Sequence, residues 1–325
     1  MRYYFAPMDG ITDYVYRNIV WKHFPYWDKL YAPFIQPNDK PVIVPKEEFE
    51  IHPDNNVGVP MVPQILTSST DGFIKVGRVL CDYGYKEINL NIGCPAKIIV
   101  SKGKGAGMLA DAYDLDKFFD GVFRYDWKVD ISVKTRLGLT DNALFSELVE
   151  VFSKYPIKEL IIHPRFRIDF YNGMPRLYEF EKAYEVISSK KDCNISICYN
   201  GNINSIKDLE YIRDKYPYIS SVMMGRGALS NPALIRKIRG GLDLTLEAFK
   251  AFHDDILESY ERIGFNDKLL MYKMKEMWNY WSDTVVLDGD LLKKLRLAGT
   301  KEEYNQLMNN VYASWKVKEN QGFIY

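Results

Sequence analysis

The stretch Asn89-Leu90-Asn91-Ile92-Gly93-Cys94-Pro95-Ala96-Lys97 closes a short apolar run, Ile88, Leu90 and Ile92, with a glycine, a thiol and a proline. An apolar run stopped by such breakers reads as a buried strand ending in a turn, which delivers Cys94 at the strand's carboxyl end. A single cysteine is more often a small core hydrophobe than a reactive group. Its neighbours here favour reactivity. Pro95 holds Cys94 extended and has no backbone donor, Gly93 admits a ligand close to the backbone, and Asn91 can both donate and accept at the edge of an amide or a pyrimidine.

Outward from this stretch the same unit recurs. Eight apolar runs, residues 3–7, 30–35, 59–66, 87–92, 130–135, 159–163, 195–200 and 221–225, alternate with helical patterns. Strands alternating with helices imply a parallel sheet, and eight such units imply an α/β fold of the TIM (β/α)8 barrel type. The second unit is the weakest, because residues 37–53 read as a loop with one short helical candidate at 46–50. From Leu242 the alternation stops, and helices are expected over 246–263, 267–282, 288–297 and 301–319. The expected organisation is a barrel over residues 1–241 followed by a helical bundle over 242–325.

Size and composition agree with that plan. The 325 residues suffice for a barrel of about 250 plus an appendage. Lys+Arg and Asp+Glu both number 43, for a formal net charge of +0, which argues against coating nucleic acid by bulk charge and leaves room for a local basic face. The four cysteines, Cys81, Cys94, Cys193 and Cys198, have neither Cys-x-x-Cys spacing nor clustered histidines, so no metal site and no disulfide framework is expected. Met1-Arg2-Tyr3-Tyr4-Phe5 reads directly as a strand, and no apolar run approaches the roughly 18 residues of a membrane span. A cytoplasmic protein without a leader or a membrane anchor is expected.

In a barrel, the carboxyl ends of the strands line the mouth where chemistry is placed. Those ends hold Pro7-Met8, Gln64, Asn91 with Cys94, Lys134 with Arg136, His163 with Arg165, Asn200-Gly201 and Gly225-Arg226. The last two strands both end in glycine before a helix, a pattern suited to a phosphate, and Arg226 adds a bidentate donor. Lys134 lies inside an apolar strand, where a buried ammonium needs an anion, either a ligand or a neighbouring carboxylate. His163 alone is as readily a satisfied structural imidazole. Gly103-Lys104-Gly105-Ala106-Gly107-Met108 fails the Gly-x-Gly-x-x-Gly pattern, and Asn194-Ile195-Ser196 is an accidental sequon within a strand.

Taken together, these motifs resemble the dihydrouridine synthases, flavoenzymes that reduce selected uridines in RNA, usually tRNA. The resemblance runs from about Arg2 to Ala233. It rests on Asn91-x-Gly93-Cys94-Pro95, on Ala6-Pro7-Met8-Asp9-Gly10-Ile11-Thr12-Asp13 with Arg17, on Gln64, Lys134, His163-Pro164-Arg165, Tyr171-x-Gly173, Asn200-Gly201-Asn202 and Gly225-Arg226. Two departures stand out: Pro164 replaces the glycine of the family's His-Gly-Arg, and Asn202 replaces an acidic residue.

The resemblance implies FMN held by Pro7, Met8, Asp9, Gln64, Lys134, His163, Asn200, Gly201, Asn202, Gly225 and Arg226, with Lys134 against N1 and the C2 carbonyl of the flavin. It implies NADPH or NADH as reductant, and Cys94 as general acid on a loop that includes the glycine-rich segment. Asn91, Lys97 and Arg165 would contact the nucleotide. The protein is expected to act as a monomer on RNA. In the helical appendage, Lys268, Lys273, Lys275, Lys293, Lys294 and Arg296 lie among Tyr272, Trp278, Tyr280 and Trp281, a mixture that suits RNA or, equally, an amphipathic bundle with a solvated lysine face. Two alternatives are an FMN barrel acting on a small molecule and a chain that binds RNA without catalysis; rRNA is also open as the substrate.

Overall fold

The computed structural model describes residues 1–141, 143–191 and 193–318. Eight parallel strands close into a barrel in sequence order: β1 Arg2–Phe5, β2 Lys29–Ile35, β3 Met61–Ile65, β4 Glu87–Ile92, β5 Asp130–Arg136, β6 Glu159–His163, β7 Ser196–Tyr199 and β8 Ser221–Met224. The ring shuts where Arg2 N donates to Ser220 O at 2.7 Å. Each strand coincides with a run read from the sequence, with ends differing by a residue or two. Pairing of β2 with β3 shifts register between Tyr31 and Phe34. There Ala32 and Pro33 oppose the single Pro63, so both prolines fall where the ladder is already interrupted.

The helices are α1 Tyr14–His23, α2 Pro45–Ile51, α3 Thr70–Asp82, α4 Lys97–Val100, α5 Ala112–Phe123, α6 Phe145–Ser153, α7 Leu177–Ser189, α8 Ile206–Lys215, α9 Arg226–Ser230, α10 Leu234–Ile238, α11 Leu246–Arg262, α12 Asp267–Trp281, α13 Gly289–Leu297 and α14 Lys301–Ala313. The last four begin on side-chain caps. Thr245, Asn266, Asp288 and Thr300 each accept from a backbone N–H in the first turn, a contact of about 1 kcal/mol apiece. Helix α14 ends at Ala313 rather than continuing to 319, a position outside the described residues. Trp315 packs tilted against Phe249, ring centroids 5.0 Å apart, and Val317 bridges antiparallel to Val285, so packing draws the chain out of the helix.

The chain divides into two compact units, each assembled from separate segments. The first is Met1–Pro7, Lys29–Gly201 and Tyr216–Met223; its interior core includes Tyr4, Tyr31, Val62, Ile161 and Met223. The second is Met8–Asp28, Asn202–Lys215 and Met224 onward. Its core is aromatic. Phe252 packs edge-on to Tyr16 at 5.9 Å and Phe24 at 5.6 Å, and Trp278 and Trp281 are fully buried beside Phe249. Lys273, buried on α12, donates to Asp13 Oδ2 at 2.7 Å and to Gly10 O at 2.6 Å, and Tyr260 of α11 donates to the same carboxylate. Lys273, Trp278 and Trp281 therefore belong to this core and not to an RNA-facing surface. Among the described residues no helix is long and apolar enough to cross a membrane, and no group of three or more His, Cys, Asp or Glu is placed to hold a metal. All four cysteines are unbridged.

Candidate active site

Strand β4 alternates, so Glu87, Asn89 and Asn91 share one face and Ile88, Leu90 and Ile92 the other. After Ile92 the Asn91 carboxamide makes the turn. Its Oδ1 accepts from Gly93 N at 3.0 Å and Cys94 N at 2.9 Å, and its Nδ2 donates to Gln64 Oε1 at 2.7 Å. Three of its four hydrogen-bonding sites are thereby used, leaving one N–H.

The next three carbonyls are all held. Gly93 O accepts from Arg136 Nε at 3.0 Å, Cys94 O from Ala106 N at 3.0 Å, and Pro95 O from Arg167 Nε at 3.1 Å. The half-buried thiol of Cys94 thus stands on a backbone pinned at both flanks. The glycine-rich segment makes one of these contacts possible. Gly105 sits at φ 55°, and a Cβ there would lie 2.9 Å from Cys94 O, so only glycine lets the 3-10 turn Gly105–Ala110 close against Cys94. Gly107 is held to glycine in the same way, with Val100 O 2.8 Å from where its Cβ would stand, whereas Gly103 takes φ 65° in open space.

Strand β5 brings Ser132, Lys134 and Arg136 to one face by the same alternation. Arg136 is 2% exposed, and beyond Gly93 it also donates to Phe166 O at 3.0 Å. Burial first, and the Arg136 charge second, push the Lys134 ammonium down to about 8. Among the described residues Lys134 has neither a hydrogen bond nor an ion pair. A desolvated cation in that condition is a binding group for an anion or a carbonyl. Among the described residues no carboxylate forms a salt bridge with Lys134.

At the end of β6, Arg165 NH1 lies 2.8 Å from His163 Nε2. A guanidinium only donates, so Nε2 accepts and the ring proton belongs on Nδ1. Arg165 is 1% exposed and also donates to Asn172 O and Gly173 O at 3.2 and 2.6 Å, which fixes the Tyr171 loop beside His163. Pro164 fits this turn. The turn closes through Arg165 N to His163 O at 2.7 Å and Arg176 N to Pro164 O at 2.7 Å, and neither bond needs a donor at 164. At the end of β7, Asn200 Nδ2 donates to Met223 O at 2.8 Å, and a Cβ on Gly201 would collide with the Tyr199 hydroxyl. Pro7 is half-buried, and Lys97, the first residue of α4, is exposed.

The remaining predicted residues lie in the second unit. Met8 caps its own loop, donating its N–H to Thr12 Oγ1 at 2.8 Å, while Asp9 is exposed. Asn202, 5% exposed, accepts from Arg226 NH2 at 3.0 Å through Oδ1, and Gly225 precedes that arginine. Gly227 must be glycine, because a Cβ would lie 2.1 Å from Ile203 O. A neutral carboxamide at 202 orients Arg226 without neutralising it, where a carboxylate would do both.

Sequence reasoning placed Arg136 at a strand end without a role and overlooked Arg167, Glu87, Asn89 and Ser132. The period-two alternation along β4 and β5 carried the signal for four of the five. Arg167 had none, since its partner is a carbonyl 72 positions away.

Comparison with known proteins gives a consistent result. The family model described as dihydrouridine synthase matches residues 4–283. The chain is 29% identical over 237 residues to tRNA-dihydrouridine synthase B of Pasteurella multocida, covering 72% of this chain and 68% of that protein. It is 25% identical over 318 residues to the tRNA-dihydrouridine(16) synthase of Shewanella oneidensis, covering 93% and 96%. Among solved structures, morphinone reductase in complex with tetrahydroNAD superposes with a TM-score of 0.52 at 10% identity, over 77% of this chain and 90% of that one, a likeness of fold alone.

Proposed function

The chain belongs to the dihydrouridine synthase family, and from that premise we propose that it is an FMN-dependent enzyme that reduces the C5–C6 double bond of selected uridines in tRNA with NADPH or NADH. The observation that carries the proposal is the pinned Cys94 backbone just past the end of β4, beside the neighbouring strand β5 and its Lys134, a desolvated ammonium with no anionic partner among the described residues. That ammonium fits the electron-rich N1 and C2 carbonyl edge of a flavin, and Gln64 and His163 offer donors of fixed orientation to the ring system. Pro7, Met8 and Asp9 after β1 would add contacts to the ring. Asn200, Gly201, Asn202, Gly225 and Arg226 would hold the phosphate. FMN, when bound, supplies the hydride that adds to uracil C6.

The chain's own groups supply the rest. Cys94 transfers its thiol proton to C5 and is left as the thiolate, which solvent reprotonates. The charges of Arg136 and Lys134 interact favourably with that thiolate. Asn91 uses its remaining N–H on a pyrimidine carbonyl. Lys97 meets the nucleotide phosphate, and Arg165 acts on the substrate side through His163 and the loop it braces. Residues 1–241 form the FMN barrel in this reading. Residues 242–325 form an RNA-recognition domain, with exposed Lys268 and Lys275 on the same helix as Tyr272 and exposed Lys293 and Lys294 on α13. A cytoplasmic monomer completes the proposal.

The test is to mix the NADPH-reduced protein anaerobically with unmodified tRNA, follow flavin absorbance, and map dihydrouridine in the product. Wild-type flavin should be reoxidised with dihydrouridine at defined positions, and Cys94→Ala should slow that step about a hundredfold or more. Reoxidation by small enones or free pyrimidines but never by RNA would overturn the proposal.

A further inference from the structure

At the amino ends of the strands, away from Cys94, the first unit contains a charged cluster that the proposed chemistry does not use. Lys29 Nζ reaches Glu87 Oε2 at 2.6 Å and Glu159 Oε2 at 3.2 Å. Tyr31 OH donates to Glu87 Oε1 at 3.1 Å; Tyr4 OH and Ser221 Oγ donate to Glu159 Oε1 at 3.1 and 2.6 Å. Burial opposes the Lys29 charge, yet Glu87 and Glu159 hold its pKa above the ordinary value. Burial, then Glu87, keeps the Tyr31 phenol well above its ordinary range, so its hydroxyl remains a donor.

From Glu87 one file of side chains climbs through the barrel to Cys94. Ser132 Oγ donates to Glu87 Oε1 at 2.7 Å, Asn89 Nδ2 to Ser132 Oγ at 2.8 Å, Gln64 Nε2 to Asn89 Oδ1 at 2.8 Å, and Asn91 Nδ2 to Gln64 Oε1 at 2.7 Å. Asn91 Oδ1 then takes the N–H groups of Gly93 and Cys94. Gln64, Asn89 and Ser132 are fully buried, so no solvent is at hand to replace a missing partner.

The direction of every link is determined. A carboxylate only accepts and a backbone N–H only donates, so both ends of the file are fixed. With one hydroxyl and three carboxamides between them, a single placement of protons satisfies all links. Reversing any one amide sets two donors face to face on one side and two acceptors on the other. In a buried setting that conflict is expensive, and neighbouring bonds in such a file reinforce one another.

We propose that Glu87, Ser132 and Asn89 are positioning residues that fix the amide orientation of Gln64 and Asn91 and, through Asn91, the backbone beneath the Cys94 thiol. The orientation so fixed leaves Asn91 one N–H beyond those its own file uses. The functional meaning rests on the reading of Cys94 as proton donor; the structural claim does not.

Ser132→Ala and Asn89→Leu each cut the file below Gln64, while Ser132→Thr keeps the hydroxyl. Amide hydrogen exchange would be read by NMR in the purified flavin-bound protein at Gly93 and Cys94, with Leu90 and Ile92 of β4 as internal references. Exchange at Gly93 and Cys94 should rise about tenfold against those references in the two cutting variants, the factor set by one lost hydrogen bond of ordinary strength. Ser132→Thr should restore it, and RNA-dependent reoxidation should slow in parallel while flavin affinity moves less. Exchange unchanged, or rising only in step with Leu90 and Ile92, would make the file mere structural support and end the proposal. Failure of wild-type protein to be reoxidised by RNA would instead sink the functional reading, and the exchange ratios would still decide the positioning claim.

Discussion

Lys134 is a liability for stability and, in the proposed function, an asset for binding. Its pKa, lowered to about 8 by burial and then by Arg136, means that the folded chain binds this proton less tightly than the unfolded chain does. The penalty is therefore fully present below pH 8 and is relieved as pH rises from about 8 towards the ordinary lysine value of ~10.4. Flavin-free wild-type protein should gain stability relative to Lys134→Met across that window, and Lys134→Met should have the higher melting temperature at pH 7. The same variant should bind FMN about tenfold or more weakly, the worth of a charged hydrogen bond, as read by quenching of flavin fluorescence. A melting temperature at pH 7 that falls in Lys134→Met would mean the ammonium has an anionic partner in the flavin-free protein. Lys134 and Cys94 were legible because an ammonium inside an apolar strand and a thiol at a strand's end are local anomalies. The carbonyl partners of Arg136 and Arg167 were not, since backbone acceptors leave no mark in sequence.

Helix α12 illustrates why elements were read better than their faces. Its start behind Asn266 and its length follow from capping and period, and the buried set Leu270, Met274, Met277, Trp278 and Trp281 follows from the same period. Lys273 breaks the pattern, because a lysine at the margin of an apolar face can extend its stem to a carboxylate that the helix itself does not contain. Removing one partner of so buried a pair should destabilise the protein by about 3 kcal/mol. Lys273→Ala should therefore lower the urea midpoint clearly, yet leave the RNA affinity of the folded protein within about twofold, a small effect beside the tenfold per 1.4 kcal/mol of a lost contact. A large loss of RNA affinity at unchanged stability would reassign Lys273 to the surface. The eight strands were legible because each pairs an apolar run with a breaker; α9 and α10, five residues each, are too short to show a period.

For the whole molecule, a formal net charge of +0 removes any general attraction to a polyanion, so RNA capture depends on where its cations are exposed. Lys268 and Lys275 lie on the solvent side of α12, flanking the 62% exposed Tyr272. The double variant Lys268→Glu, Lys275→Glu should raise KM for tRNA about tenfold and flatten its salt dependence, while NADPH reduces the flavin at the wild-type rate. An unchanged KM would place the RNA elsewhere. The barrel was foreseen as one continuous stretch; the membership of α1 in a unit with the C-terminal helices was not, because such pairing depends on side chains more than two hundred positions apart. That arrangement bears on how the chain is made. Asp13 and Lys273 are 260 residues apart, and at roughly 5–20 residues per second a ribosome needs on the order of ten seconds or more to reach α12 after α1 has emerged. Throughout that interval Tyr16 lacks Phe252, the α11 ring that packs edge-on against it in the folded chain. Stalled or truncated translation products of this protein should thus be clients for chaperones and proteases through their first helix, however complete the strands that follow it.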